Sequence, residues 1–396
     1  MAVVAGTVAH PDSVAEAAEL LRDSRGTLLF RGGGTKMAWA GRPDQPDLLV
    51  ETGGLHQLLE HNPADMTAVV EAGLPLSTLQ EVLGESGQWL ALDPPTQADG
   101  ATIGGLLATG DSGPRRLRYG ALRDLVIGVT LVLADGTVAH AGGRVIKNVA
   151  GYDLTKLMYG SLGTLALIAE VVLRVHPRAE DSATLVASAS VAAAADATRR
   201  LMASPLEPSA VDWVGDPREP VGQLAIRFEG SRAGVAAQTA AVRELLDVGP
   251  LEQLNGPTEV AWWEDLAAAH RTPAGQTTVR AGTRPNQVID AVDALIAAAG
   301  DADIRLVSHL ALGLHTAHIA GPPSAQARTF DQWRGALVAL GSTVMLRDRP
   351  GEIDAAVDVL GPPPSAVRLM RAVKSRLDPA GRCAPGRLGW LMEERW

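Results

Sequence analysis

A chain of 396 residues, with 46% hydrophobic and 20% charged residues, has the composition of a globular protein with room for two or three domains. The formal net charge of −10 disfavours a general nucleic-acid-binding role and a polybasic membrane anchor, since both need a basic surface. The lone Cys383 excludes an internal disulfide and a cysteine-rich metal site. No apolar run reaches the ~18–20 residues of a membrane span, and no basic segment marks a signal peptide. We therefore expect a cytoplasmic protein.

The first ninety residues alternate between helical and extended patterns. "HPDSVAEAAELLRDSRG" predicts a helix, with Ser13 and Glu16 in capping-box spacing. "TLLF", "DLLVET" and "AVVEAG" predict three strands. "PLSTLQEVLGESG" predicts a second helix that starts with Ser77 and Gln80 in the same capping relation.

The pattern changes near residue 178. Before it, residues 125–143 predict a strand, an Asp-Gly turn and a return strand, and "LTKLMYGSLGTLALIAEVVLRVHP" predicts a helix, a glycine break and a strand. Short strands with interleaved helices indicate an α+β domain with a mixed or antiparallel sheet. Residues 180–345 are rich in alanine, and stretches such as "QTAAVRELLDV" and "NQVIDAVDALIAAAG" predict helices of a second domain. A third region, from about 350, ends in the turn-rich "LDPAGRCAPGRLGW".

Glycines cluster in "RGGGTK", "DGATIGGLLATGDSG" (99–113) and "GSLGTL" (160–165). Glycine permits positive φ and lets a ligand lie against peptide N–H groups, so converging loops of this kind suit a pyrophosphate. A tight turn is the alternative for each cluster taken alone. No GxxxxGK[ST] motif is present, and Met37 stands where a GxGxxG fingerprint starting at Gly32 needs a glycine, so neither a Walker loop nor a Rossmann site is predicted.

Four motifs carry a family resemblance: "FRGGGTK", "DPPTQADGATIGGLLATGDSGPRRLRYG", "GGRVIKNVAGYDLTKLMYGSLGTLALI" and "DPAGRCAPGRL". In this order they resemble the FAD-linked oxidases of the vanillyl-alcohol oxidase or p-cresol methylhydroxylase type, over about residues 8–178 and 340–396. Within that family they most resemble the FAD-binding E subunits of bacterial glycolate oxidases. The resemblance implies an α+β fold with a two-subdomain FAD-binding domain (1–178), an α+β cap or subunit-interaction domain (179–349) and a C-terminal segment (350–396) that packs on the FAD domain.

The resemblance also implies where FAD binds. The first glycine loop would wrap the pyrophosphate, the segment from Thr96 to Gly105 would follow the phosphates and ribityl chain, and Thr109, Ser112 and Gly113 would lead toward the isoalloxazine. The segment 162–168 would pass the adenosine end, with main-chain groups of Ile168 at the adenine. The predicted cofactor-binding residues are Arg31, Gly32, Gly33, Gly34, Thr35, Lys36, Thr96, Thr102, Gly104, Gly105, Thr109, Ser112, Gly113, Tyr119, Asn148, Gly163, Thr164 and Ile168.

Several positions depart from the family pattern. Thr35 stands where members with covalent flavin often carry histidine, so noncovalent FAD is expected. Larger relatives have a histidine-rich HxGDGNxH metal motif, which nothing here matches. "SHLALGLHTAHIAG" contains His309, His315 and His318, and a histidine pair three residues apart could chelate a metal on a helix. Hydrogen-bonded strand or turn histidines are the favoured interpretation, so no metal site is predicted and no catalytic residue is assigned.

Other polar and reactive residues leave two interpretations open. In "KNVAGYDLTKL", Asn148 and Asp153 either lie near the flavin or fix the loop and cap the helix that begins near Leu154. Arg31, Arg115, Arg116 and Arg118 could clamp an anion, with surface solvation or structural ion pairing as the alternative.

The sequence "CAPG" in the C-terminal motif contains two residues that bear on the prediction, Cys383 and Ala384. Ala384 stands where relatives often have asparagine, and Cys383 is interpreted as inert packing rather than a redox thiol.

The resemblance predicts the FAD-binding subunit of a glycolate oxidase (glycolate dehydrogenase) complex, which oxidises glycolate to glyoxylate. Its expected partners are a larger catalytic FAD-linked oxidase subunit, an iron–sulfur subunit and a small 2-hydroxy acid. With one cysteine this chain cannot hold a cysteine-ligated cluster. Peripheral association with the inner face of the membrane, through the complex, stays open. The alternatives are a stand-alone FAD-dependent 2-hydroxy acid or sugar-acid dehydrogenase, and a structural subunit that has lost its flavin.

Overall fold

A computed structural model of the chain describes residues 5–144 and 153–392. The strands are β1 (Thr7–Ala9), β2 (Leu28–Arg31), β3 (Leu48–Glu51), β4 (Leu58–Asn62), β5 (Thr67–Glu71), β6 (Gln88–Trp89), β7 (Val126–Val132), β8 (Val138–Gly142), β9 (Leu167–Arg174), β10 (His176–Pro177), β11 (Asp181–Ala189), β12 (Ala210–Gly215), β13 (Gly222–Gly230), β14 (Glu252–Leu254), β15 (Thr277–Gly282), β16 (Asp303–His309), β17 (Leu314–Ala320) and β18 (Thr343–Leu346). The helices are α1 (Val14–Asp23), α2 (Leu76–Gly84), α3 (Ile103–Thr109), α4 (Arg116–Tyr119), α5 (Leu122–Leu125), α6 (Leu154–Met158), α7 (Val191–Met202), α8 (Arg232–Leu245), α9 (Gly256–Ala269), α10 (Val288–Ala299), α11 (Pro323–Ala339), α12 (Gly351–Ala356) and α13 (Val367–Leu377).

These elements form two compact units. Unit 1 comprises the described parts of Met1–Ser112, Gly120–Arg178 and Leu360–Trp396, and unit 2 comprises those of Gly113–Tyr119 and Ala179–Val359. Among the described residues, no helix has the length and apolar character needed to cross a membrane.

The first helix begins where the sequence predicts. The Ser13 hydroxyl accepts a hydrogen bond from the Glu16 backbone N–H at 3.2 Å, which satisfies a donor that helical hydrogen bonding leaves unpaired. The Glu16 carboxylate accepts from the Asp12 N–H at 2.9 Å rather than from the Ser13 N–H, so the reciprocal bond falls one residue earlier than in a capping box.

The predicted start of the second helix at Ser77 is wrong. Helix α2 begins at Leu76, and Pro75 is its N-cap without a side-chain hydrogen bond. Gln80 does not serve the cap either, because its side-chain amide bonds both backbone groups of Leu90, at 2.7 Å and 3.0 Å. A glutamine that ties helix α2 to a neighbouring segment is therefore unavailable to a capping box.

Unit 1 contains a three-stranded parallel sheet, a five-stranded antiparallel sheet and the short antiparallel pair β6-β10. Strands β1-β3-β2 are parallel, and their apolar residues pack with helix α1. Strands β4-β5-β9-β7-β8 are antiparallel. The predicted turn between β7 and β8 is confirmed, with Gly136 at φ +82°. Asp153 caps helix α6, as the loop-fixing interpretation predicts, because its carboxylate accepts from the Thr155 N–H at 3.2 Å.

Unit 2 is built on one antiparallel sheet with the strand order β14-β11-β13-β12-β16-β17-β15-β18. One face is apolar and packs against α7, α8, α10 and α11, with Trp213, Phe228 and Trp333 fully buried in that core. Side chains alternate between the faces of a strand, so Asp212, beside Trp213, and Thr316, beside Ala317, belong to the opposite face. That face is polar and still buried. Helices α8 and α10 confirm the helices predicted from the alanine-rich stretches.

Candidate FAD-binding site

The three glycine-rich segments of unit 1 meet at one cleft, which we call the glycine cleft. Its open space is about 680 Å³. It lies where β2 ends, where α3 begins and where the chain enters β9. The predicted cofactor-binding residues that line the glycine cleft are Arg31, Gly32, Gly33, Gly34, Thr35, Lys36, Thr102, Gly104, Gly105, Thr109, Gly163 and Ile168. Residues far apart in the sequence are thus brought to one place.

The glycines at the bottom of the cleft let the loops pack against each other. A Cβ on Gly33 would collide with the Gly100 carbonyl oxygen, and one on Gly32 would collide with the Thr102 hydroxyl. A Cβ on Gly104 would lie 2.7 Å from the Cβ of Ala72. At these positions it is neighbouring protein that excludes a side chain.

Other glycines shape the surface of the cleft. Gly34 has φ +70° and Gly163 has φ +73°, a region that glycine enters without steric cost. A Cβ on Gly34 would contact only the Arg31 side chain within 4 Å, at 3.7 Å or more, so its backbone faces open space. Leu162 beside Gly163 also has φ +53°, although it carries a large side chain. Exposed backbone in this conformation fits a phosphate ligand, which accepts hydrogen bonds from peptide N–H groups.

A buried ion pair lies at the C-terminal end of the first glycine loop. The Lys36 ammonium lies 3.8 Å from the Asp111 carboxylate, with side-chain exposures of 5% and 1%. Lys36 also donates to the Thr35 hydroxyl at 2.8 Å, and Thr96 donates to Asp111 at 2.9 Å. Thr96 is therefore tied to Asp111 rather than to the wall of the cleft. Sequence reasoning missed Asp111, because nothing in "ATGDSG" separates a buried counter-ion from a turn residue.

Arg387 lines the glycine cleft and was also missed. Its guanidinium donates to the carbonyls of Met37 at 2.9 Å, Trp39 at 2.7 Å and Lys36 at 3.3 Å, which fixes the chain that leaves the first glycine loop. The sequence feature that could have identified Arg387 is its position in the motif "APGRL". Arg31 also lies at the cleft and forms an ion pair with Glu51. This agrees with the structural ion pairing that the sequence analysis gave as the alternative to anion binding.

The C-terminal segment also holds the third glycine loop. Lys374 is buried, and its ammonium donates to the carbonyl of Thr164 at 2.7 Å, to that of Cys383 at 3.0 Å and to the Asp378 carboxylate at 2.5 Å. The Thr164 hydroxyl donates to the Ser161 carbonyl at 2.7 Å, so it is used within its own turn. The segment that begins at residue 360 thereby fixes the loop whose Gly163 lines the glycine cleft.

The remaining predicted residues lie elsewhere. Ser112 is buried in unit 1 outside the lining of the glycine cleft, whereas Gly113 and Tyr119 belong to unit 2. Burial, with the charge of Glu229 as the next cause, raises the pKa of Tyr119. Asn148 lies outside the described residues.

Two of the arginines considered as anion clamps make structural bonds in unit 2. Arg115 donates through Nε and Nη2 to the Glu229 carboxylate, at 2.9–3.2 Å. Arg118 donates to the Glu229 carbonyl at 2.6 Å. The ion-pairing alternative is confirmed for Arg115.

The histidine group of unit 2 has no helical metal-chelating geometry. His315 and His318 lie on strand β17, where residues three apart point to opposite faces. Each is hydrogen-bonded through both ring nitrogens: His315 to Ser308 and Thr283 (2.9 and 3.1 Å), and His318 to Thr278 and the Ala269 carbonyl (2.8 and 2.7 Å). The interpretation as hydrogen-bonded strand histidines is confirmed for this pair. Within residues 5–144 and 153–392, no group of three or more His, Cys, Asp or Glu side chains is arranged to hold a metal.

Cys383 is a packing residue, as interpreted from the sequence. It is 1% exposed and lies in the apolar cluster that joins α1 to the parallel sheet. Burial, with the nearby Asp378 carboxylate as the next cause, raises the pKa of its thiol. A thiol that stays protonated is a poor nucleophile and a poor redox group.

Comparison with known proteins gives a consistent assignment of the cofactor. Residues 3–142 match the family described as "FAD binding domain". The chain is 33% identical to the glycolate oxidase subunit GlcE of Escherichia coli, over 60% of this chain and 63% of that protein. It is 29% identical to the glycolate oxidase subunit GlcD of Bacillus subtilis (63% and 52%) and 35% identical to a D-lactate dehydrogenase of Archaeoglobus fulgidus (40% and 35%). The matches thus span from about a third to under two thirds of each relative.

Solved structures show the same mixed α/β fold. An alkyldihydroxyacetonephosphate synthase superposes with a TM-score of 0.72 over 96% of this chain and 75% of the other, at 18% identity. The protein FgChi7B superposes with a TM-score of 0.70 over 97% and 91%, at 14% identity. The chain is thus a flavoprotein with FAD as its cofactor, and its FAD-binding domain is homologous to those of glycolate oxidase subunits and D-lactate dehydrogenases.

Proposed function

We propose that this chain is the FAD-binding subunit of a glycolate oxidase-like complex that oxidises glycolate to glyoxylate. The observation that carries the proposal is the glycine cleft, which Gly34 and Gly163 line with backbone in the left-handed φ region. A pyrophosphate accepts hydrogen bonds from peptide N–H groups that face open space in this way. The match to a glycolate oxidase subunit over 60% of the chain supports the choice of substrate class.

The proposal assigns FAD to residues of unit 1. The first glycine loop and Thr102 to Gly105 would hold the phosphates, and the segment 162–168 would lie at the adenosine end. Thr35 has no nitrogen with which to form a histidyl link, so the FAD is noncovalent. When bound, FAD would supply the hydride acceptor for oxidation of the hydroxyl-bearing carbon of the acid. We further propose functional domains at 1–178, 179–349 and 350–396. The three-stranded parallel sheet and the five-stranded antiparallel sheet of unit 1 would be the two FAD subdomains, and residues 179–349 would form a cap or subunit-interaction domain.

The proposed partners follow from the glycolate oxidase subunits that the chain resembles. They are a larger catalytic FAD-linked subunit and an iron–sulfur subunit, which would receive the electrons. Cys383 is the single cysteine of this chain, so a cysteine-ligated cluster would belong to another chain. We place the complex in the cytoplasm, with peripheral association at the membrane through its other subunits.

The test is the visible spectrum of the purified chain before and after anaerobic glycolate. Flavin bands that bleach only when the partner subunits are added support the proposal. Bands that glycolate bleaches in the isolated chain favour a stand-alone 2-hydroxy acid dehydrogenase instead. A protein that neither retains nor rebinds FAD contradicts both.

A further inference from the structure

Helix α13 of unit 1 has an exposed face, which we call the arginine face and which comprises Arg368, Leu369, Ala372, Ser375 and Arg376. Residues three, four and seven positions apart share one side of a helix, so these side chains form a continuous strip. Leu369 is 68% exposed, although its side chain is large and apolar. A single exposed leucine is ordinary on a protein surface, so the charges beside it decide what the strip can do.

The two arginines of the arginine face have no charge partner in the described protein. Within residues 5–144 and 153–392, neither Arg368 nor Arg376 forms an ion pair or a hydrogen bond. The exposed Arg199 and Arg200 of helix α7, by contrast, both pair with Asp196, at 2.5 and 2.8 Å. A strip with two unpaired guanidinium groups and no carboxylate is therefore complementary to an acidic surface.

The segment around helix α13 has a charge opposite in sign to that of the whole chain. Residues 360–392 contain six basic side chains and one acidic side chain, whereas the formal net charge of the chain is −10. Arg371 and Arg382 donate to backbone carbonyls, which leave their positive charge in place. The arginine face thus lies in a locally positive region, which attracts an acidic partner and orients it.

The opposite side of helix α13 is engaged in the fold of unit 1. Val373 and Leu377 pack against the apolar cluster that contains the antiparallel sheet. The Lys374 ammonium bonds the carbonyl of Thr164, next to the Gly163 that lines the glycine cleft. Because a helix is about 10 Å across, a protein bound to the arginine face would lie within about that distance of this loop. The helix therefore joins an open surface to the unit that carries the proposed FAD site.

We propose that the arginine face is the docking surface for an acidic face of the iron–sulfur subunit. This inference rests on the proposed function, which assigns that subunit to the complex. The cysteine ligands of an iron–sulfur cluster bind as thiolates, and their charge exceeds that of the iron–sulfide core, so each cluster adds negative charge to the subunit that holds it. Arg368 and Arg376 pair with carboxylates of that subunit, and Leu369 fills an apolar recess beside them.

Other occupants fit the arginine face less well. A helix that lies on a membrane turns its apolar side to the lipid, whereas the apolar side of α13 faces the core of unit 1. Segments that bind anionic lipids by charge carry about 4–8 basic residues at the surface, and the arginine face has only Arg368 and Arg376. A second copy packed around a twofold axis would bring the same arginines against each other.

The test measures binding of the purified iron–sulfur subunit to the full, FAD-loaded chain by isothermal titration calorimetry. We expect Arg368→Glu/Arg376→Glu to raise the dissociation constant about ten- to hundredfold and Leu369→Ser to raise it about threefold or more. The control is Arg123→Glu/Arg232→Glu, which changes the net charge equally at two exposed arginines outside α13. Unchanged affinity in Arg368→Glu/Arg376→Glu, or an equal loss in the control, overturns the proposal.

Salt provides a second readout of the same contact. We expect parental binding to weaken between about 50 and about 300 mM NaCl, and the charge-reversed variant to depend less on salt. Circular dichroism and the flavin spectrum check folding, which should be unchanged because the altered side chains are exposed. If the charge reversal impairs folding, Arg368→Gln/Arg376→Gln decides, with an expected loss of about threefold or more. Parental affinity in a folded glutamine variant would then overturn the proposal.

Binding to phosphatidylglycerol vesicles, or self-association in sedimentation velocity, distinguishes the other occupants. If Arg368→Glu/Arg376→Glu abolishes either of these and leaves binding of the iron–sulfur subunit unchanged, the arginine face belongs to a membrane or to a second copy, and the proposal is overturned.

The outcome is separable from the proposed function. A complex that assembles through the arginine face but never oxidises glycolate leaves the docking surface standing and refutes the oxidase role. A parental chain that does not bind the iron–sulfur subunit, but whose flavin glycolate bleaches once the larger subunit is added, refutes the docking surface and leaves glycolate oxidation intact. A chain that shows neither binding nor bleaching refutes both.

Discussion

The ammonium of Lys374 lies 2.7 Å from the carbonyl oxygen of Thr164, so a buried cation on helix α13 holds the loop that lines the adenosine side of the proposed FAD site. The same ammonium bonds Asp378 and the Cys383 carbonyl. A C-terminal residue thereby fixes the backbone at a site that the earlier part of the chain forms.

Replacing Lys374 with methionine removes this support and leaves the Asp378 carboxylate buried without its cation. Breaking a buried pair in this way costs about 3–5 kcal/mol, so we expect the free energy of unfolding to fall by that order and FAD to bind more weakly. Urea unfolding followed by circular dichroism measures the first effect, and flavin fluorescence titration the second. Arg376→Met, at an exposed position of the same helix, is the control and is expected to stay within about 0.5 kcal/mol. Equal loss in both variants would contradict the role of Lys374.

The glycine loops were predictable from the sequence, whereas the charges that support them were not. A run of three glycines, Gly32 to Gly34, follows a predicted strand. Such a run indicates positive φ or a close approach to the backbone, so the loop can be identified from the sequence. Asp111 and Lys374 act through partners tens or hundreds of residues away, and single-sequence patterns carry no information on such pairs.

Local patterns also failed where a tertiary contact overrides them. Gln80 stands in capping-box spacing but bonds Leu90 instead. His315 and His318 have helical metal-ligand spacing but lie on a strand. In both cases a contact between distant segments decides the outcome, which hydrophobic periodicity and residue spacing cannot report.

Gly33→Ala tests whether packing between loops shapes the glycine cleft. A Cβ at this position meets the Gly100 carbonyl oxygen, which is backbone and cannot rotate away. We expect the two loops to separate and the affinity for FAD to fall by about 10- to 100-fold, the equivalent of about 1–3 kcal/mol of overpacking. Gly53→Ala is the control, because no atom lies within 4 Å of the added Cβ. An unchanged dissociation constant for FAD in Gly33→Ala would show that the close approach of the loops is not required.

Ala384→Gly is expected to stabilise the protein slightly. Ala384 has φ +45°, and an L-residue in the left-handed region costs about 1–2 kcal/mol. Glycine removes that cost but gives the unfolded chain about 0.4–1 kcal/mol of extra entropy, so the net gain is about 0.5–1 kcal/mol. Ala380→Gly, at an exposed position of the same segment, is the comparison and is expected to destabilise. A loss of stability in Ala384→Gly would mean that its methyl contacts with Leu29 and Leu49 outweigh the backbone strain.

Stability should fall as the pH drops below about 6.5, the usual histidine value, because unit 2 buries neutral histidines. Burial lowers the pKa of His315 to about 3 and that of His318 to about 4. Between those values and the ordinary pKa, the unfolded chain binds protons that the folded chain does not, so the free energy of unfolding rises with pH in this window. Each such histidine contributes a slope of up to about 1.4 kcal/mol per pH unit.

We expect His315→Asn to reduce the pH dependence of the free energy of unfolding, whatever its effect on stability at pH 7. Urea unfolding at pH 5.0, 5.5, 6.0 and 7.0 gives the slope directly, and His56→Gln, at an exposed position of unit 1, serves as the comparison. We expect the slope between pH 5 and 6 to decrease by about 1 kcal/mol per unit in His315→Asn and to stay unchanged in His56→Gln. Parallel curves for His315→Asn and the parent would mean that His315 takes up its proton in the folded state, which its burial and the nearby Arg280 charge oppose.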